Sequence, residues 1–496
     1  MKRREFIRNG FAAGIALGAG CAAAGVERKA GDKPRLALIG AGKQGRSLLH
    51  QFLGQDLLVK GVCDCDAARR EDRARVVDEY YASRGVAAPK AVRWADFRDV
   101  LADPDVDIVC VATPDHWHAY ICVEAMKAGK DVYCEKPLTY SVEEAKLVMA
   151  AQKKFDRVFQ TGAMQRSGVE FRTACEIVRN GCIGAVKFVD CNFGGPSRPH
   201  RDYENPANAA NEGAPNPDVD FDMWCGGAPL VKYSDRLAPR GVHDFFPGFW
   251  RNDDYFGLGM CGDWGAHHLD IAQWGLGLDE SGPVRVIRSN EMPARDPKLG
   301  GRRQHGLQMV FADGCVLQHN NFSGWGTVFY GADGIVAVNR GRIGVWTGKG
   351  AFPDEKIRKG IVDGSFDAMK CVAFWCPPRV PKGKPAPPLA ACSAKSNLDA
   401  CNRAIKEFDL KHAKTKLYRS LGHVADFAAR CRDRGPTCSP ASVGGRAAIL
   451  CQLCNISYVH DAGFDWDPDK NQFAKGTGDA AWLARPSYRK NWKVVI

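Results

Sequence analysis

The stretch that decides the fold is Arg35–Gly45, which reads RLALIGAGKQG. Its first five residues predict a buried strand, and Gly40, Gly42 and Gly45 follow with the spacing G-x-G-x-x-G. Such glycines permit a tight turn and let the backbone approach a pyrophosphate at a helix N-terminus, where unpaired N–H groups favour an anion. The motif alone is weak evidence in a glycine-rich chain. Its place between a strand and a helix predicts a dinucleotide-binding unit.

The same alternation of strands and helices continues to about Gly162. It predicts a doubly wound parallel sheet with right-handed crossovers, and Ser141-x-x-Glu144 predicts a capped helix start within it. We therefore expect an α/β Rossmann domain over residues 34–162. Its predicted strands are Leu36–Ile39, Leu58–Cys63, Ile108–Ala112, Val132–Cys134 and Val158–Thr161.

Beyond Gly162 several strand-like runs follow one another without helices between them. This pattern favours an α+β domain with an open, largely antiparallel sheet, over residues 163–496. The prolines of Pro377–Pro388 predict a surface loop. The predicted elements are a helix at Glu170–Asn180, strands at Val186–Cys191, Val284–Ser289, Gly306–Phe311, Cys315–Asn320, Thr327–Tyr330 and Ile335–Val338, and helices at Leu421–Cys431 and Arg446–His460.

The composition is that of a folded protein rather than a disordered or fibrous one. The chain has 496 residues, of which 45% are hydrophobic and 25% are charged. The net charge is +12, spread without a long basic run, and no nucleic-acid-binding motif accompanies it. We therefore expect a small-molecule partner and no nucleic acid.

The first 24 residues have the order of a targeting segment. Lys2-Arg3-Arg4-Glu5-Phe6-Ile7 precedes a weakly apolar run of Gly and Ala, which is too short to span a membrane and ends in small residues suited to cleavage. Two arginines before Phe-Ile favour export to the periplasm by the twin-arginine route, which carries folded, cofactor-loaded proteins. Lipidation at Cys21 is a weak alternative, because Gly18 occupies the position where a lipidation motif usually has leucine.

The cysteines predict no metal site. Cys451-x-x-Cys454 lacks a second pair or histidines at zinc spacing, so its two thiols are expected on one apolar helical face. The best disulfide candidates in an exported protein lie in a loop-rich stretch, at Cys371, Cys376, Cys392 and Cys401.

Cofactor-binding side chains are expected at the carboxyl ends of the strands. Asp64 ends the second strand, where a carboxylate binds the ribose hydroxyls and repels a 2′-phosphate, so NAD is favoured over NADP. Its neighbour Asp66 is expected to cap the following helix. Thr113, Pro114 and Asp115 follow the fourth strand at the ligand-binding edge, and Asp115 there resembles a helix cap. Spacing does not decide which of the two histidines that follow, His116 and His118, faces the cofactor.

The expected chemistry depends on a lysine and a histidine. Lys136 follows Glu135 at the end of the fifth strand, where a cation stabilises a developing alkoxide. On a helix, Asp263, His267 and Asp270 share one face, so the two carboxylates are expected to orient His267 as a base and to raise its pKa. Without that context, Glu135 and Lys136 would be a solvated ion pair and His267 a core residue.

At these residues the chain resembles the Gfo/Idh/MocA oxidoreductases, specifically over about residues 35–278. Two later stretches, His423–Arg434 and Asp465–Pro468, look like the exported bacterial branch of that family. The resemblance implies a homo-oligomer in which Lys136 contacts the reacting hydroxyl and the nicotinamide, His267 is the acid/base, and Asp263 holds substrate hydroxyls. It implies a substrate wall made of Arg166, Trp224, Trp250 and Arg251, and a cofactor site made of Gly40, Gly42, Lys43, Gln44, Gly45, Asp64, Thr113, Pro114, His118, Glu135 and Lys136.

Three functions are compatible with the sequence. The leading one is an exported NAD(P)-dependent oxidoreductase that transfers a hydride between a sugar or cyclitol hydroxyl and nicotinamide. The alternative is a redox-neutral glycosidase or lyase that uses retained NAD through a transient 3-keto sugar, since free NAD is absent outside the cytoplasm. The third, a catalytically silent binding protein, is disfavoured by the presence of Lys136, Asp263 and His267 together.

Overall fold

A computed structural model describes residues 32–200, 216–242, 249–288, 306–320, 325–347, 351–352, 355–363, 365, 394–485, 488–489 and 492–496. Predictions for the targeting segment with Cys21, for Pro377–Pro388, and for Cys371, Cys376 and Cys392 fall outside these residues. In the described part of the chain, no helix is both long and apolar enough to cross a membrane. Those same residues contain no grouping of His, Cys, Asp and Glu able to hold a metal ion.

The N-terminal sheet has six parallel strands in the order β3-β2-β1-β4-β5-β6. The order reverses between β1 and β4, which opens a crevice at the carboxyl ends of these strands. The strands are β1 Arg35–Ile39, β2 Leu58–Cys63, β3 Val92–Trp94, β4 Ile108–Val111, β5 Asp131–Cys134 and β6 Phe159–Thr161. The helices are α1 Lys43–Leu53, α2 Ala67–Ser83, α3 Phe97–Ala102, α4 Asp115–Lys127 and α5 Val142–Phe155.

Within the described residues, the C-terminal sheet has nine strands in the order β13-β12-β11-β7-β10-β9-β8-β14-β15, and among them only the β7–β10 pair is parallel. Its strands are β7 Val186–Asn192, β8 Arg285–Arg288, β9 Leu307–Val310, β10 Val316–Asn320, β11 Thr327–Gly331, β12 Gly334–Asn339, β13 Arg342–Thr347, β14 Phe464–Asp467 and β15 Gln472–Phe473. The helices are α6 Val169–Arg179, α7 Phe221–Cys225, α8 Gly259–Asp263, α9 Gly265–Leu276, α10 Glu355–Asp363, α11 Ala394–Glu407, α12 His423–Asp433 and α13 Ala441–Val459.

The predicted fold class is therefore confirmed, and the predicted strands agree with the structure to within about two residues at each end. The capping box is present, because Ser141 Oγ accepts from the Glu144 N–H and the Glu144 carboxylate accepts from the Ser141 N–H. Four strands were missed, namely β3, β13, β14 and β15. The strand β3 is only three residues long and exposes Val92 and Arg93, so its sequence carries no recognisable period.

The last helices return to the Rossmann domain. Phe427 of α12 packs edge-on against Phe52 and Tyr133, with ring centroids 6.2 and 5.7 Å apart. The backbone of α13 lies so close to β6 that a Cβ on Gly444 would stand 2.0 Å from Thr161 Oγ1. The hydrophobic core of the predicted 34–162 unit thus contains side chains from far down the chain.

The described cysteines are free thiols and most are buried. Cys451 and Cys454 of α13 are both fully buried in the C-terminal core, as the interpretation of an apolar helical face requires. Cys401, one of the four disulfide candidates, is a buried free thiol on α11.

Candidate active site

A cavity of about 300 Å³ lies at the carboxyl edge of the parallel sheet, between that edge and helices α8 and α9. This volume is at the lower end of the range found for small-molecule pockets. Every site residue predicted from the sequence lines it except two, Gly45 and Arg166.

The glycine turn forms one end of the cavity. Gly40 has φ +98°, and a Cβ there would lie 2.6 Å from the carbonyl carbon of Ala112. Gly45 supports the turn from beneath, because its Cβ would stand 2.0 Å from the Gly40 carbonyl oxygen. Gly42 is different, since the nearest atom to its Cβ would be Arg69 Nη1 at 3.8 Å. The turn therefore leaves open space at the N-terminus of α1, where a phosphate group fits.

Asp64 lies beside this turn at the end of β2. One carboxylate oxygen accepts from the Ala41 N–H at 2.6 Å and the other from the Asp66 N–H at 2.8 Å. Burial raises the pKa of Asp64, and these two hydrogen bonds oppose that effect. As predicted, Asp66 caps α2, accepting from the Arg69 N–H at 3.1 Å.

A covering segment, residues 216–239, closes the cavity next to Asp64. The Ala67 N–H donates to the Asp218 carbonyl at 2.8 Å, and the Asp220 N–H donates to the Cys65 carbonyl at 3.1 Å. Arg69 Nη2 donates to the Pro239 carbonyl at 2.6 Å. The segment comes from the second domain but is bonded to the loop that carries Asp64.

Between the two histidines after β4, the structure places His118 in the cavity wall. Its ring nitrogens lie 2.7 Å from the Pro137 carbonyl oxygen and 2.9 Å from that of Thr113. Burial lowers the pKa of His118 to about 4, so the neutral ring donates to one of these carbonyls at a time. His118 thus ties the loop after β4 to the loop after β5.

His116 turns away from the cavity, with Nε2 3.0 Å from the Trp224 carbonyl oxygen. The prediction that Asp115 caps α4 is wrong. Pro114 occupies the cap position, and the Asp115 carboxylate accepts instead from the backbone N–H of Leu258.

The catalytic candidates converge at the other end of the cavity. The Lys136 ammonium is ion-paired with the Asp263 carboxylate and also donates to the Asp263 backbone carbonyl at 3.2 Å. Burial and the neighbouring Lys136 act on the Asp263 pKa in opposite directions, and the net effect lowers it. Glu135 accepts from Gln44 Nε2 at 2.9 Å, which joins the lysine-bearing loop to the glycine turn. His267 lines the same end of the cavity.

The expectation that Asp263 and Asp270 bracket His267 is wrong in two respects. Asp263 ends α8, whereas His267 belongs to α9, and Trp264 separates the two helices. Asp270 is buried in an ion pair with Arg166, whose Nη2 lies 2.7 Å from the Asp270 carboxylate and 2.7 Å from that of Asp279.

The pairing with Asp270 and Asp279 also corrects the prediction that Arg166 lines the substrate side. The Arg166 guanidinium is buried between these two carboxylates and is not among the residues that line the cavity.

The pKa of His267 moves opposite to the sequence-based expectation. Burial is the main cause, and the nearby cations Lys136 and Arg340 add to it, so the pKa lies well below its ordinary value of 6.5. The imidazole is therefore neutral near pH 7 and available to accept a proton.

Aromatic and cationic side chains form a further part of the cavity wall. Trp224 and Trp250 line the cavity as predicted, and the Arg251 guanidinium carbon lies 4.3 Å from the centre of the Trp250 ring. The sequence analysis missed Trp264 and Arg340, which also line the cavity. Trp264 lies inside the stretch already singled out, whereas nothing local to Arg340 indicates that its hairpin turn faces the site.

The residues present fit a dinucleotide. Gly42 leaves the phosphate-sized opening, Asp64 lies where ribose hydroxyls bind, and two buried polar atoms at the cavity, Thr113 Oγ1 and His267 Nδ1, have no hydrogen-bond partner among the described residues.

Two family models match the chain in succession. Residues 34–163 match the Gfo/Idh/MocA model described as "Oxidoreductase family, NAD-binding Rossmann fold", and residues 203–339 match the model described as "Oxidoreductase family, C-terminal alpha/beta domain". Together the two models cover just over half of the chain.

Two bacterial oxidoreductases are among the proteins similar in sequence to this chain. "Uncharacterized oxidoreductase YrbE" of Bacillus subtilis is 31% identical over 169 residues, which are 34% of this chain and 46% of that protein. "Inositol 2-dehydrogenase" of Pseudarthrobacter chlorophenolicus is 31% identical over 224 residues, 42% of this chain and 61% of that protein. This chain therefore matches between about half and three fifths of the length of these relatives.

A solved structure described as "Levoglucosan dehydrogenase, complex with NADH and levoglucosan" has the same fold. It covers 88% of this chain and 99% of its own, with a TM-score of 0.50 and 18% sequence identity. Because the two models of one family together cover more than half of the sequence, the chain belongs to the Gfo/Idh/MocA oxidoreductase family.

Proposed function

We propose that this protein is an NAD-dependent oxidoreductase that acts on a secondary hydroxyl of a sugar or cyclitol. The observation that carries the proposal is the convergence of Lys136, Asp263 and His267 at one end of a cavity whose other end is the glycine turn. The Pseudarthrobacter relative is named as an inositol dehydrogenase, which supports the substrate class.

Each residue has a separate task in the proposed reaction. His267 accepts the hydroxyl proton as the carbinol C–H bond breaks and the ketone forms, and its lowered pKa leaves it unprotonated for that task. Lys136 stabilises the developing alkoxide, and Asp263 holds the lysine in place and accepts hydrogen bonds from substrate hydroxyls. Bound NAD supplies the acceptor for the hydride. Asp64, next to the glycine turn, favours NAD over NADP.

The test measures reduction of NAD at 340 nm across a panel of sugars and cyclitols. For an active substrate, His267→Ala is expected to lower kcat by about 10²- to 10⁴-fold, because the proton acceptor is lost. NAD binding, followed by fluorescence, is expected to stay unchanged. His460→Ala serves as the control, since His460 lies against Trp482 away from the cavity. Unchanged turnover in His267→Ala would contradict the proposal.

The redox-neutral alternative is tested with glycosides in deuterated water. A glycosidase that oxidises C3 transiently releases the aglycone, leaves deuterium at C2 of the sugar and produces no net reduced cofactor. These three results together would favour the glycosidase over the oxidoreductase. Mass spectrometry of the denatured protein adds a second measurement, because a closed redox cycle needs NAD that co-purifies with the chain.

We also propose export and self-association. The basic, apolar and small-residue order of residues 1–24 supports export by the twin-arginine route, and the family to which the chain belongs supports self-association. Replacing Arg3 and Arg4 by lysine is expected to keep the protein in the cytoplasmic fraction. Light scattering of the purified protein measures the number of subunits, and a monomer would contradict the expected homo-oligomer.

A further inference from the structure

Arg340 occupies a position in the cavity that the proposed chemistry does not use. It lies in the turn between β12 and β13, far along the chain from the glycine motif, yet its side chain lines the cavity. Its guanidinium carbon is 4.7 Å from the centre of the Trp264 ring, and Trp264 lines the cavity as well. The Arg340 charge acts on both Asp263 and His267. Arg340 therefore stands beside the place where the reacting hydroxyl is expected.

The turn that carries Arg340 is tied to helix α6 by a hydrogen bond. The Gly341 N–H donates to Glu170 Oε1 of α6 at 3.0 Å, and the Arg340 N–H donates to Asn339 Oδ1 at 2.8 Å. Gly341 has φ +71°, a conformation that favours glycine. An arginine on a pinned turn loses less entropy on binding than one on a loose loop.

The carboxylates of this end of the cavity already have other partners. Asp263 is ion-paired with Lys136, Glu135 accepts from Gln44, and Asp115 accepts from the Leu258 N–H. Among the residues that the structure describes, no carboxylate oxygen forms an ion pair with the Arg340 guanidinium within 4 Å. Stacking on Trp264 covers one face of the guanidinium and leaves N–H donors at its edge.

We propose that Arg340 binds an anionic substituent of the substrate, so that the enzyme acts on a polyhydroxy compound carrying a carboxylate or a phosphate. This inference rests on the proposed function and narrows its substrate class. A guanidinium suits both anions, because its parallel N–H groups pair with two oxygens at once. Arg251, which stands over Trp250 in the same cavity, adds to the positive potential that attracts such a substrate.

The test compares three probes of similar ring size, namely glucose, glucuronate and glucose 6-phosphate, on the NAD-loaded protein. Calorimetry at low ionic strength measures the dissociation constants. For each probe that reduces NAD, the rate of reduction also gives a KM value. Arg340→Gln is expected to weaken binding of at least one anionic probe by about tenfold while glucose changes by less than about twofold. If the affinity for glucuronate falls in Arg340→Gln, the site binds a carboxylate. If the affinity for glucose 6-phosphate falls, the site binds a phosphate.

Arg342→Gln is the matched control, because Arg342 lies two residues away over Trp325, at 4.6 Å, and does not line the cavity. Its affinities are expected to equal those of the unchanged protein. The inference is wrong if neither anion binds more tightly than glucose, or if Arg340→Gln weakens all three probes equally. If anion binding depends on Arg340 but no compound reduces NAD, the anion site stands and the proposed oxidoreductase function fails.

Discussion

At the scale of single residues, the protonation state of His267 is set by its surroundings. Burial, Lys136, Arg340, His268 and His423 all lower its pKa, so the neutral ring persists below pH 6.5. The proposed oxidation needs this neutral form, so we expect activity to be lost only as the pH falls through the lowered pKa. A base kept neutral in this way still functions at a mildly acidic pH.

Arg340 is expected to shift the acid limb of the pH profile through its effect on His267. Arg340→Gln removes one of the cations that oppose protonation of His267, so the pKa of His267 rises and the acid limb of kcat/KM moves to higher pH. The profile is measured with a neutral substrate, so that loss of an anion contact does not enter. Arg342→Gln is expected to leave the limb in place. An unchanged limb in Arg340→Gln would show that another group controls it.

At the scale of elements, the first strand–helix unit depends on two glycines in different ways. Gly45→Ala drives a methyl group into the Gly40 carbonyl, so α1 must shift away from β1, at a cost of about 1–3 kcal/mol of unfolding free energy. Gly42→Ala meets open space and is expected to leave stability nearly unchanged while weakening NAD binding. Urea unfolding and a fluorescence titration with NAD separate the two effects. Equal stability of both variants would contradict this account.

The covering segment, residues 216–239, is expected to control how fast NAD leaves. Arg69→Ala removes the hydrogen bond to the Pro239 carbonyl and loosens the segment over the ribose end, so NAD dissociation accelerates on the order of tenfold. Stopped-flow displacement of NAD measures the rate. Arg75→Ala is the control, because Arg75 is on the same helix but pairs only with Asp72 and Glu79 at the surface. The same rate in both variants would mean that the segment does not hold the cofactor.

At the scale of the whole molecule, the Rossmann domain shares its hydrophobic core with helices from the end of the chain. Phe427→Ala is expected to cost about 3–5 kcal/mol, because the ring fills a fully buried space against Phe52 and Tyr133 of the Rossmann domain. Leu398→Ala, at a half-exposed position on α11, is expected to change stability little. Denaturant unfolding measures both variants. If an isolated fragment of residues 34–162 proved as stable as the full chain, the shared core would be unimportant.

The local features of this protein can be predicted from short stretches of its amino-acid sequence. Adjacent residues decide a strand, a glycine turn or a capping box, so β1, the motif at Gly40, Asp64 and the start of α5 are readable in the chain. Lys136 and His267 are readable for the same reason, since each lies in a short stretch with a characteristic pattern.

Contacts between distant residues depend on how the elements pack together in three dimensions. Asp270 pairs with Arg166 rather than with His267, Arg340 reaches the cavity from a remote hairpin, and Phe427 completes the core of the first domain. Each of these depends on contacts between residues far apart in the chain, whose partners and burial no local pattern records. The same burial lowers the pKa of His267, where spacing along a helix had predicted the opposite.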